Sequence, residues 1–172
     1  MSGSRSTPLG VIVRGALAGA VGTLAMDAVW YVRHKRDGGK ETFLEWEFSA
    51  SPSWEDVSAP GQVGKRLTEA FLQRDLEPKW APLVNNVMHW GYGILWGVQY
   101  GIVAGSLPAA VELDLLLGPT VWATSYVVLP LAKLYKPIWE YDAKTLAKDL
   151  SAHIVYGLTT AGTFRILDRR RK

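Results

Sequence analysis

The sequence predicts an all-α fold: a four-span transmembrane helical bundle with an additional amphipathic interfacial helix in its first long loop. Two observations carry that expectation. Apolar runs at about 9–32, 83–107, 115–135 and 146–167 each approach the ~20 residues that a helix needs to cross ~30 Å of hydrocarbon. The second and third lie in windows, Leu83 to Val111 and Leu115 to Ala132, that contain no Asp, Glu, Lys or Arg. Uncharged runs of that length are uncommon in the core of a water-soluble bundle.

The 172 residues read as one membrane domain. No cysteine is present, which removes disulfides, thiolate metal sites, cysteine nucleophiles and covalent haem attachment. The net charge of +3 does not point to nucleic acid. Basic residues gather at the edges of apolar runs and in the tail Arg169, Arg170, Arg171 and Lys172, a pattern suited to lipid headgroups.

Arg14 and Asp27 interrupt the first run, which is too long for a signal-peptide core. It is expected to stay as a helix. The loop 33–82 contains "SAPGQVGKRLTEAFLQR", where Ser58 can cap a helix over about 59–74, Pro60 suits its first turn, and Val63, Leu67 and Phe71 make an apolar stripe. Such a helix lies at the membrane interface or takes a partner. Pro108 closes the second run, and the turn after it is short enough to make the second and third runs a hairpin, with Glu112 and Asp114 as solvated caps. Pro130 is placed to kink the third. Trp30, Tyr31, Trp80, Tyr135, Trp139 and Tyr141 fall where the runs meet the longer loops, as an aromatic belt does. In "WEYD", Glu140 and Asp142 read as a loop facing water. Basic residues flank both sides, so the positive-inside count leans only through loop length, to cytoplasmic termini.

Polar and small residues recur four apart within the runs: Gly15, Gly19, Thr23 and Asp27; His89, Gly93, Gly97 and Gly101; His153, Gly157 and Ala161. Each series follows one helix face, and small residues let backbones approach where lipid supplies no hydrophobic drive. Counted from the ends of their runs at ~1.5 Å per residue, Asp27 and His89 lie roughly 8 and 9 Å deep, on the same side. His153 enters from that side too, in "HIVYG", which repeats the spacing of "HWGYG". The expectation is one polar layer of Asp27, His89 and His153, with Tyr92 and Tyr156 a turn deeper.

An ionisable residue inside a membrane points to function or to a paired partner. Structural packing of the bundle by hydrogen bonds is the leading expectation, and a proton or cation pathway is the alternative, because His titrates near neutral pH. No cofactor is the primary expectation. Two lesser readings stay open: b-type haem held between His89 and His153, and a divalent metal on Asp27, His89 and His153. No P-loop, dinucleotide fingerprint, nucleophile elbow or HExxH occurs, so an enzyme is not expected.

"GALAGAVGTLAMDAVWY", "SAPGQVGKRL", "HWGYGILWGVQYG" and "HIVYGLTTAG" together resemble the small bacterial inner-membrane proteins of unknown function grouped around YagU. The resemblance implies a multi-span helical protein in a bacterial cytoplasmic membrane and carries over no catalytic residue. The expected partners are the lipid bilayer and, through the glycine-rich faces, a second copy or another membrane protein.

Overall fold

A computed structural model describes residues 7–48, 53–107 and 111–169. Among them the fold is all-helical: α1 (Pro8–Arg36), α2 (Phe43–Phe48), α3 (Ala59–Leu72), α4 (Ala81–Ser106), α5 (Val111–Leu131) and α6 (Ala143–Arg169), with single 3-10 turns before α4 and α6. The basic tail 170–172 and Pro108 lie outside the described residues.

The ends of the helices follow from local chemistry. Thr7 opens α1 by accepting from the Gly10 N–H at 3.2 Å, and Pro8 fills the first turn. Arg33, His34, Lys35 and Arg36 crowd its last turn, where positive charge meets the negative end of the helix dipole. Pro130 stands in the last turn of α5. The helix stops one residue later, with Lys133 at φ 55° and the Leu134 N–H donating back to the Leu129 carbonyl at 2.9 Å, a Schellman-type ending.

Order along the chain is not order in space. α1 packs between α4 and α6, α6 between α1 and α5, and α3 lies on the start of α4. The expected tight hairpin of the second and third runs is therefore loosened: α4 and α5 are consecutive but barely touch, because α1 and α6 occupy the faces each would offer.

Glycines set that order. α1 and α4 run antiparallel, with Gly15 opposite Gly97 and Gly19 opposite Gly93; a Cβ on Gly15 or Gly19 would stand 2.6 Å from the Gly97 or Gly93 carbonyl oxygen. No side chain larger than hydrogen fits between backbones at that separation. Gly101 continues the face, its would-be Cβ 3.0 Å from the Gly15 Cα. The adjoining face of α1, through Ala18 and Gly22, meets α6 at Tyr156 and Thr160. Gly157 meets Gly118 of α5, and Ala161 is buried beside it on α6. These contacts occupy the glycine faces within one chain.

The outward faces are aliphatic, and the interior mixes apolar side chains such as Tyr100, Leu117, Val121, Tyr156 and Phe164 with a few polar ones. Arg14, Thr23, Asp27 and Thr160 are buried, whereas Leu9, Leu17 and Leu24 of α1, Leu95 and Ile102 of α4, Leu116 and Val127 of α5, and Leu158 and Ile166 of α6 are exposed. Two helices, α1 and α5, are long and apolar enough to cross a membrane. α4 is uncharged, but Asn85, Asn86, His89 and Gln99 dilute its hydropathy, and α6 carries Lys144, Lys148, Asp149, Arg165 and Asp168 towards its ends.

Candidate functional site

The antiparallel register that sets Gly19 against Gly93 brings Asp27, two turns further along α1, to His89, one turn earlier on α4. His89 Nε2 lies 2.8 Å from Asp27 Oδ1, and the two side chains are 25% and 5% exposed. The second oxygen of Asp27, Oδ2, is buried without a hydrogen-bond partner among the described residues.

A third member comes from the loop. After α1 the chain reverses at Gly38, whose φ of 96° suits glycine, and α2 folds back over the end of α1. Phe43 meets Tyr31 edge-on with ring centroids 5.3 Å apart, and Trp46 stacks obliquely on both Tyr31 and His34. His34 pairs with Glu41 at 2.7 Å, and the Tyr31 hydroxyl donates to the Glu41 carbonyl at 3.0 Å. These contacts seat Glu47 beside the pair, where Trp90 Nε1 donates to its Oε1 at 2.8 Å. One donor atom from each of Asp27, Glu47 and His89 lies within 4.8 Å of the other two. Burial pushes the Glu47 carboxyl above its ordinary range; the Trp90 hydrogen bond opposes that shift, and the nearby Asp27 charge adds to it.

His153 is placed elsewhere. Its Nδ1 lies 3.0 Å from the carbonyl of Asp149 and 3.3 Å from the Asp149 carboxylate, one turn back on α6, at a level where α6 packs on Gly118 of α5. The structure therefore builds two histidine–aspartate pairs, one across α1 and α4 and one within α6. A haem held between the histidines would require both to release these partners. Tyr156 is 2% exposed and donates to the Gly93 carbonyl at 2.6 Å, tying α6 to α4, whereas Tyr92 is exposed and packs edge-on with Trp96.

The two asparagines ahead of His89 also have work. Ser58 does not cap α3 with its own side chain; Asn85 Oδ1 accepts both the Ser58 hydroxyl at 2.5 Å and the Gly61 N–H at 3.1 Å. The α3 start is thus capped from α4. Gly61 and Gly64 pack on Asn85, Val84 and Met88, which turns Leu67 and Phe71 outward. Asn86 donates to its own helix, at the Pro82 carbonyl.

Ion pairs gather at the other end of the bundle. Arg14, 7% exposed, lies 3.3 Å from Asp168, and Asp114 takes both Arg165 and the Tyr100 hydroxyl. Asp114 is therefore a bridge from α5 to α6 and α4 and not the solvated cap expected of it. Asp142 caps α6 through the Thr145 N–H at 2.9 Å and the Thr145 hydroxyl at 2.7 Å. Arg33 spans from α1 to α6, donating to the Lys148 carbonyl and to Ser151.

No family model, curated protein or solved structure corresponds to this chain. The site's meaning has to come from its own geometry.

Proposed function

We propose that this chain is a four-span integral membrane protein, related to the YagU-like proteins of the bacterial inner membrane, with both termini cytoplasmic. In this reading the Asp27–His89 pair packs the bundle together. The observation that carries it is the aliphatic outer face: α4 and α6, like α1 and α5, turn Leu, Ile and Val outward, while buried Asp27, Thr23, Thr160 and the glycine contacts share the interior with Tyr100, Tyr156 and Phe164. In water this aliphatic surface would face solvent on all four long helices. In lipid it costs nothing, and helix association comes from close backbone contact and interhelical hydrogen bonds. The outward Leu67 and Phe71 of α3 then lie at the interface. The test is extraction of native membranes with alkaline carbonate: the protein stays in the pellet and leaves only with detergent. Release into the alkaline supernatant would sink the proposal.

A second reading, a proton or cation pathway, draws on Glu47. A carboxylate delivered by the loop to a buried Asp–His pair makes a short relay from the loop side into the bundle. Proton or cation flux in proteoliposomes that D27N abolishes, with folding intact, would support it; equal flux in D27N and wild type would end it.

A further inference from the structure

The geometry points to a first-row divalent metal site, of Zn²⁺ or Mn²⁺ type, formed by Asp27, Glu47 and His89. Three separate elements supply it: α1, α2 and α4. Their nearest donor atoms, two carboxylate oxygens and one imidazole nitrogen, lie within 4.8 Å of one another. Around a single ion at 2.0–2.2 Å, neighbouring ligands stand roughly 3 to 4 Å apart. A small side-chain adjustment of Glu47, which sits on the short α2, closes that difference.

A second observation marks the same place. Asp27 is 5% exposed at its side chain, and its Oδ2 is buried with no hydrogen-bond partner among the described residues. A buried carboxylate oxygen left unpaired costs about 1–3 kcal/mol or more. Glu47 brings a second carboxylate next to it, which compounds the charge. A cation taking the place of the proton between His89 Nε2 and Asp27 Oδ1 offsets the paired negative charge, and satisfies Oδ2 as well where Asp27 binds it through both oxygens.

The donor set narrows the ion. One imidazole and two carboxylates with no sulfur ligand favour Zn²⁺, Fe²⁺ or Mn²⁺ over Cu⁺, and the imidazole disfavours Mg²⁺ and Ca²⁺. Three protein ligands leave positions open to water or an exogenous ligand. The ion would also clamp α2 onto the α1–α4 pair, so its occupancy would govern how firmly the loop closes over the site. Among the described residues the other histidines fit less well: His34 pairs with one exposed glutamate, and His153 with Asp149.

Purified full-length protein, stripped with EDTA and held in detergent, is titrated calorimetrically with Zn²⁺, Mn²⁺ and Mg²⁺. The expected result is one Zn²⁺ per chain, weaker Mn²⁺ and no saturable Mg²⁺. Glu47→Gln keeps an oxygen to accept from Trp90 and so preserves the fold; with His89→Ala, it should weaken Zn²⁺ tenfold or more. Asp149→Asn and His153→Ala, which alter the separate pair within α6, should bind as wild type does. The site is overturned if Zn²⁺ does not saturate, if Glu47→Gln binds like wild type, if Mg²⁺ binds as tightly as Zn²⁺, or if Asp149→Asn or His153→Ala removes the binding. The readout requires no bilayer, so its failure leaves the membrane proposal standing.

Discussion

His89 of α4 holds Asp27 of α1 at 2.8 Å, and it does so at the end of a run of glycine-on-glycine contacts that fixes the two helices in register. The pair is interhelical, and its aspartate is almost fully enclosed. Removing the histidine leaves a buried carboxylate with neither oxygen satisfied. His89→Ala should therefore cost about 1–3 kcal/mol. The double variant Asp27→Ala/His89→Ala should cost less than the sum of the two single changes, by about 0.5 kcal/mol or more. Reversible unfolding in mixed micelles measures both. Additive losses would mean that the two side chains do not act on each other.

The glycines divide into two classes. A Cβ on Gly19 would stand 2.6 Å from a backbone oxygen of α4, whereas a Cβ on Gly91 or Gly162 meets nothing within 4 Å. Backbone cannot swing aside as a flexible side chain can. Gly19→Ala should destabilise by about 1–3 kcal/mol through overpacking. Gly91→Ala and Gly162→Ala should be neutral, or stabilise by up to about 1 kcal/mol from helix propensity. Melting temperatures of the three variants separate the classes; equal losses at all three positions would remove close packing as the cause.

Two carboxyls outside the long helical runs give opposite pH signatures. Burial raises Glu47 in the folded chain above 4.5, so its favourable contribution is complete below 4.5 and is lost as pH rises through the higher folded value. The Thr145 hydroxyl and backbone N–H hold Asp142 below 3.8, so its contribution is present above 3.8 and is lost as pH falls through the lower folded value. In metal-free protein, Glu47→Gln should remove the alkaline-side loss and match or exceed wild-type stability at pH 7. Asp142→Asn should lower stability at pH 7 and flatten the acid limb. Thermal melts from pH 3 to 9 read both; a Glu47→Gln protein less stable than wild type at pH 7 without metal would contradict the assignment.

The helices were legible because their signals are local. Apolar runs at 9–32, 83–107 and 146–167 fall within α1, within a residue of α4, and within α6, and the amphipathic pattern at 59–74 overlies α3. The four-residue spacing of Gly15, Gly19, Gly93 and Gly97 marks the faces on which α1 and α4 meet. What the sequence hid depends on contacts between distant segments. Asn85 caps a helix that begins 26 residues before it, a bond with no trace in periodicity. Glu47 reaches the site because Phe43 and Trp46 anchor on Tyr31 and His34; "FLEWEF" has no spacing that singles out one of its glutamates. His153 shares the His-x-x-Tyr-Gly pattern with His89, yet its pairing follows from Asp149 four residues back, which equal depth in a membrane could not reveal. Gly118, on which Gly157 packs, stands beside Pro119 with no repeat to flag it.

The four-span reading stands or falls on the lateral faces of α4 and α6, because among the described residues α1 and α5 alone are apolar enough to cross by composition. The chain has no cysteine, so single replacements at Leu17, Leu95, Val127 and Leu158, one exposed site on each long helix, report without background. The decisive measurement is their reaction with a membrane-impermeant maleimide in sealed vesicles. All four should stay unmodified until detergent is added, while a cysteine at Trp139, 81% exposed between α5 and α6, should react from one side of the membrane. Prompt labelling of Leu95→Cys or Leu158→Cys in intact vesicles of both orientations would place α4 or α6 in water and contradict the four-span bundle.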